Sequence, residues 1–262
     1  MPNENRSLGA GWYAPPAVMR NLFRVDGPPQ PLGADRRPPF WLLGGIAPDL
    51  RQYVRRYDEE IAAADLAAAD IFRTVTELRP GRPNIFVLAA DHGEEFLDHG
   101  GWEHGHTLYD ELVRVPLIVA APDLAPARVE TQVQLIDVYP TLLELAHVAD
   151  SPAVAGVPFT DLLDGRHVDA RPAFSELGDT TAVRWLGWKC IYNGRTELYN
   201  LTSDPHERQD VAGAEPVRAE LMLRLLSQHN EWEIAQGAEI THRTVPMRRE
   251  TLEQLRALGY MR

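Results

Sequence analysis

The stretch ADHGEEFLDHGGWEHGH, residues 90–106, sets four of the chain's nine histidines among acids and glycines. Asp91 and His92 are adjacent and follow NIFVLAA, a short apolar run rich in β-formers that reads as a strand. The exit of such a strand is where an open α/β sheet places its ligands. Inside a strand, neighbouring side chains point to opposite faces, but Gly93 lets the chain turn so that both can face one cleft. A carboxylate beside an imidazole is a mixed hard and borderline donor set, suited to Zn, Mn or a similar divalent cation. His99, His104 and His106 follow on a loop loosened by Gly100, Gly101 and Gly105, where backbone can approach a metal or an oxyanion. From these residues alone a metal site and a solvated His/Asp loop both remain open.

The surrounding pattern must position this segment. Residues 1–48 are rich in Pro and Gly and read as an irregular lead-in, with Trp12, Tyr13, Phe23, Phe40 and Trp41 expected to pack onto the rest. From Leu50 the apolar residues recur at helical spacing through Leu78; Asp49 fits an N-cap, and Pro80 and Gly81 stop the run. NIFVLAAD and RVPLIVAAP both read as strands buried on two faces of a parallel sheet. QLIDVYPTLLELAHVA reads as a helix with Pro140 kinking it or marking its first turn. Helix, strand, loop, strand and helix in that order predict an α/β core. Beyond about residue 165 the texture changes to short antiparallel strands, PAFSEL, AVRWLGWKCIYN and TELYNLTSD, with Asn193-Gly194 as a hairpin turn. An amphipathic helix over EPVRAELMLRLLSQHNEWE and a short terminal one over RRETLEQLRALGY complete a smaller α+β subdomain. The expected division is therefore 1–165 and 166–262.

Composition narrows the function. The formal net charge is −12, with no basic block, which argues against a nucleic-acid partner held by its phosphates. The only cysteine, Cys190, excludes an intramolecular disulfide and reads as a small buried apolar residue. No apolar run approaches the roughly 20 residues that span a bilayer. The first residues lack a signal-peptide pattern. A soluble chain of open compartment is expected, periplasmic or secreted only if a leader lies upstream. His147, His167, His206, His229 and His242 are scattered and default to surface or capping positions.

The segment DHGEEFLDHGGWEHGHTLYDELVRVPLIV, residues 91–119, resembles the metal-binding segment of bacterial sulfatases in the alkaline phosphatase superfamily. VQLIDVYPTLLELAHV, VPFTDLLDG, AFSE, VRWLGWKCIYN, ELYNLTSDPHERQDVAG and LRALGYM follow in the order that sulfatase C-terminal halves show, and WYAPPAVMRNLF and YDEEIAAAD resemble segments before the metal strand. The resemblance implies an α/β fold with a partial alkaline phosphatase-like sheet sandwiched by helices, plus a small C-terminal α+β subdomain with an antiparallel sheet. It implies hydrolysis of sulfate esters, or the activity of phosphodiesterase or phosphoethanolamine-transferase relatives, at a divalent Ca, Zn or Mn ion. By position, Asp91 and His92 match the metal end. His106, with His104, matches the catalytic cation on the transferred oxyanion. Arg114, in the RVP signature, binds substrate or anchors the loop through Glu94, Asp110 or Glu111. Glu94 and Glu95 are expected to support the loop or face solvent, and Lys189 to be solvated or hydrogen-bonded in its hairpin.

The same resemblance demands a formylglycine nucleophile made from Cys or Ser in a Cys/Ser-x-Pro-x-Arg string, and two further acidic ligands, all before the Asp-His-Gly strand. The sequence has no such string; Cys190 is followed by Ile191 and Tyr192. Thr244-Val245-Pro246-Met247-Arg248 matches only loosely and reads as a link between the two C-terminal helices. The expectation is a C-terminal half whose partner half lies upstream or on a separate chain, with apolar edges exposed where that half would pack, or else a catalytically inert module.

Overall fold

The computed structural model describes residues 15–25, 27–33, 49–149 and 154–237. The packing of Trp12, Tyr13, Phe40 and Trp41, the terminal helix, Thr244–Arg248 and His242 lie outside them. Phe23, expected to pack, is exposed.

Helix α1, Leu50–Leu78, begins where the sequence places it, with the Asp49 side chain accepting from the Arg51 amide. Its buried residues, Tyr53 and Glu59, lie in its first half, while Phe72 further on meets Phe86 at 4.4 Å. Tyr53 is fully buried and meets Trp102 edge-on at 5.2 Å, while Tyr57 meets Phe96 at 5.3 Å. Those partners belong to a small antiparallel ribbon, β2 (Glu95–Phe96) with β3 (Trp102–Glu103), which is the histidine-rich segment itself. Beyond it, Ile61, Leu66, Ile71, Phe72 and Leu78 stand exposed along the helix.

Strands β1 (Phe86–Ala89) and β4 (Leu117–Ala120) correct one expectation. They pair with each other antiparallel, from Phe86↔Ala120 to Ala89↔Leu117. A parallel pair needs a crossover that returns the chain to the starting end, usually a long helix. The segment between these strands holds only the ribbon and the single turn α2 (Asp110–Val113), so it re-enters at the end it left. Nor are the strands buried on both faces, since Leu88 and Ile118 are exposed.

The C-terminal sheet runs β5 (Ala173–Leu177), β6 (Thr180–Trp185), β7 (Trp188–Tyr192) and β8 (Thr196–Asn200) in sequential antiparallel order. The Asn193-Gly194 turn closes the β7–β8 hairpin, as its residue types predict. Because strand side chains alternate, one face presents Val183, Cys190 and Leu198 to α5 (Pro216–Gly237), against Ala219, Met222 and Leu226. The other presents Ala182, Ile191, Tyr199 and Leu201 to Leu108, Tyr109 and Val113. The sheet is thus apolar on both faces, and its second face is covered by the continuation of the histidine segment. Helix α3, Val138–Leu145, follows a short 3-10 turn and carries Pro140 in its first turn, where the missing amide costs nothing. Helix α4 is the single turn Thr160–Leu163.

Candidate functional site

The chain leaves β1 at Ala89 and turns sharply at Gly93. The Gly93 amide donates to the Leu112 carbonyl at 2.8 Å, and a Cβ there would lie 1.9 Å from the Glu111 carbonyl oxygen. Glycine is required because two backbones touch. That contact seats Asp91 and His92 beside α2, on the wall of a cleft of about 870 Å³ that also includes His104, Arg114 and Gln132.

Asp91 is largely exposed, and its Oδ1 lies 3.7 Å from His92 Nε2. His92 Nδ1 is 2.8 Å from the Gly93 carbonyl oxygen, a contact that requires a proton on Nδ1. With the neutral ring carrying its one proton there, Nε2 would be left as an acceptor on the side of the Asp91 carboxylate. A carboxylate oxygen and a ring nitrogen 3.7 Å apart could both reach one cation, because two ligand bonds of about 2.0–2.2 Å can bridge them. The pair fits part of a divalent site. Among the described residues no cluster of three His, Cys, Asp or Glu side chains could hold a metal by itself.

His104 stacks on His92 with ring centroids 3.9 Å apart, and its Nδ1 lies 3.4 Å from Glu94 Oε1. Burial pushes the Glu94 carboxyl up, against the pull of His104. Arg114 is exposed on the cleft wall. The carboxylates expected to anchor it are held elsewhere: Asp110 by Lys189, Glu111 by His99 and Glu94 by His104. The anchoring role is thereby corrected; only its backbone amide, donating to the Asp110 carbonyl, takes part in α2.

His106 stands apart from these residues. Its Nε2 donates to Glu95 Oε2 at 2.6 Å, and it does not line the cleft. Glu95 is fully buried and accepts on Oε1 from the amides of His99 and Gly101. Burial pushes its carboxyl up, but the Gly101 amide, His106 and the His99 amide outweigh that and hold it below the usual range. A Cβ on Gly101 would meet His106 Nε2 and Glu95 Oε2 at 2.4 and 2.8 Å, so glycine keeps the pair in place.

The ribbon is clasped to the C-terminal sheet by groups whose roles the residue pattern does not announce. His99 lies flat on Tyr109 at 3.5 Å, with Nδ1 on Glu111 at 2.6 Å and Nε2 on the Glu207 carbonyl at 3.0 Å. Lys189 is not solvated, as one reading of its hairpin allowed; it is buried between Asp110 and Glu207. Glu197 accepts from Tyr109, Tyr199 and Arg195. Burial pushes Tyr109 up to about 12 and Tyr199 higher still, while those three donors overcome burial and hold Glu197 low. Of the scattered histidines, His147 caps the end of α3, His167 and His206 are exposed, and His229 instead packs between Phe174 and Trp232.

The "Sulfatase" family model matches residues 11–148, more than half of the chain. The chain belongs to the sulfatase family. It is 26% identical over 195 residues to arylsulfatase K of Xenopus laevis, covering 66% of this chain and 36% of that protein. It is 26% identical over 177 residues to the choline-sulfatase of Rhizobium meliloti (strain 1021), covering 63% and 34%. This sulfatase-family chain thus spans about a third of the length of the curated relatives it matches. Among solved structures it resembles a 2-O GAG sulfatase, with TM-score 0.61, 21% identity and coverage of 84% of this chain and 56% of that one. It also resembles the phosphonate monoester hydrolase of Agrobacterium radiobacter, with TM-score 0.60, 21% identity and coverage of 71% and 43%. These likenesses support the expected α/β class with its partial sheet. No described helix is long and apolar enough to cross a membrane.

Proposed function

We propose that this chain forms one wall of a sulfate-ester hydrolase site, with Asp91 and His92 holding a divalent Ca, Zn or Mn ion. The observation that carries the reading is the 3.7 Å approach of His92 Nε2 to Asp91 Oδ1, with both residues on one large cleft. A bound ion would act as a Lewis acid on an ester oxygen. His104, stacked on His92, and Arg114, exposed on the same wall, would hold the sulfate oxygens and stabilise charge developing on the transferred group. His106 we assign to organising the ribbon through Glu95, since that bond occupies its Nε2. The formylglycine nucleophile and remaining acidic ligands are assigned to polypeptide outside these residues, on the same chain or a separate one.

The test is calorimetric titration of the chain with Mn, Zn and Ca, beside Asp91→Ala and His92→Ala. Each substitution is expected to cost about tenfold or more in affinity for the preferred ion. Metal uptake unchanged in both variants would overturn the assignment.

A second reading, that the 262-residue chain alone turns nothing over, is favoured by the donor count, since Asp91 and His92 lack a third ligand among the described residues. Assay on aryl sulfates and phosphate esters decides it; metal-dependent turnover by the isolated chain would refute it.

A further inference from the structure

The cleft holding Asp91 and His92 is far larger than a sulfate group. At about 870 Å³ it falls in the range of roughly 300–1,000 Å³ that encloses organic ligands. Part of its wall is aromatic. Phe174 comes from β5, and His229 and Trp232 sit three apart on one side of α5. The Phe174 and His229 rings are 3.9 Å apart and 7° from parallel; His229 and Trp232 are 6.1 Å apart at 18°. Three nearly parallel rings form a stack, and Trp232 at its end is 42% exposed. A large ring left wet on a concave wall gains by covering its face.

The Phe174 end of the stack is anchored. Gln132 Nε2 donates to the carbonyls of Arg171 and Arg184, and its Oε1 accepts from Arg184 Nη1. Gln134 Oε1 accepts from the Phe174 amide. These bonds tie residues 132–134 to β5 and β6, so Phe174 is held before any ligand arrives.

Charge bears on what the stack takes. Aromatic faces also attract quaternary ammonium groups, but such a ligand needs negative charge nearby. Glu176 pairs with His229 at 4.0 Å, and Asp110 is held by Lys189 and Arg184. Arg114, Arg171 and Arg184 lie in the same wall. The wall thus carries both signs of charge, with Arg171 held by Asp137 and Asp91 exposed, and its rings suit an uncharged ring.

We propose that Phe174, His229 and Trp232 form a ring-stacking subsite for the organic half of the ester, taking the flat apolar face of an aryl or pyranose ring. The proposal rests on the sulfate-ester reading of Asp91 and His92. It is tested by calorimetric titration of the chain with inorganic sulfate, para-tolyl sulfate, a monosulfated glucose and choline sulfate. At least one ring ester should bind about tenfold more tightly than inorganic sulfate, and which one does so identifies the ring. Trp232→Ala should remove that gain, Trp232→Phe should keep most of it, and inorganic sulfate should bind all three proteins equally. Ring esters that bind no better than sulfate, a gain that survives Trp232→Ala, or tighter binding of choline sulfate would each overturn the subsite. If instead Asp91→Ala leaves sulfate binding untouched while Trp232→Ala still removes the ring gain, the metal reading fails and the subsite stands.

Discussion

Lys189 Nζ lies 2.9 Å from Glu207 Oε1, with both side chains sealed from solvent. The same ammonium reaches Asp110 at 2.9 Å, and Glu207 Oε2 accepts from the Asp110 amide at 2.6 Å. Glu207 is held at φ 52, a strained value for a residue with a side chain. Burial pushes its carboxyl up more than Lys189 pulls it down. The chain's only lysine therefore joins β7, α2 and the 204–210 loop that bonds His99.

Breaking that pair leaves a buried charge unpaired. Lys189→Ala or Glu207→Ala should each cost about 3–5 kcal/mol in denaturant unfolding. The double substitution should cost much less than the sum, because it removes both charges. Additive losses would show that the two groups act independently.

Gly93→Ala tests the backbone contact behind Asp91 and His92. The new Cβ would collide with the Glu111 carbonyl, so the turn must open. An unfolding loss of about 2 kcal/mol or more is expected, together with weaker metal uptake. A variant with wild-type stability would mean that the turn and α2 separate without cost.

Glu95 makes the ribbon acid-sensitive. Its folded carboxyl titrates below the free value of 4.5, so its contribution is complete above that value and fades as pH falls through the lowered one. Amide exchange of His99 and Gly101, corrected for intrinsic rates, should show protection at neutral pH that is lost on acidification. Glu95→Gln should lose it at neutral pH as well. Protection independent of pH would refute the role given to the carboxylate.

Cys190 offers a probe of opening. The thiol is fully buried and burial pushes it up to about 12, so almost no thiolate exists at neutral pH. A disulfide reagent should leave the folded chain unmodified and label it at the unfolding rate in denaturant. Rapid labelling of the native protein would show that the α5 face of the sheet opens locally.

Periodicity made much of this fold legible. The α1 start at Asp49, the β7–β8 hairpin at Asn193-Gly194 and the two-faced C-terminal strands follow from capping, turn chemistry and alternation, which act over a few residues. The direction of the β1–β4 pair was not legible, because apolar runs of that length do not encode whether the connection crosses over. Asp91 and His92 share a cleft as the strand exit predicts, whereas His104 and His106, two residues apart, go to different places. That division depends on Glu95, whose buried carboxylate captures His106 eleven residues further on once the ribbon folds back on itself.

What the sequence determined by itself is the family, the elements and the place of Asp91 and His92 at a strand end, since these rest on local order and residue type. Tertiary structure alone decided which histidine faces the cleft, why Lys189 is buried and which rings line the same wall as Asp91. Those outcomes turn on contacts between segments up to about a hundred residues apart, such as His99 with Glu207, and no local pattern carries them.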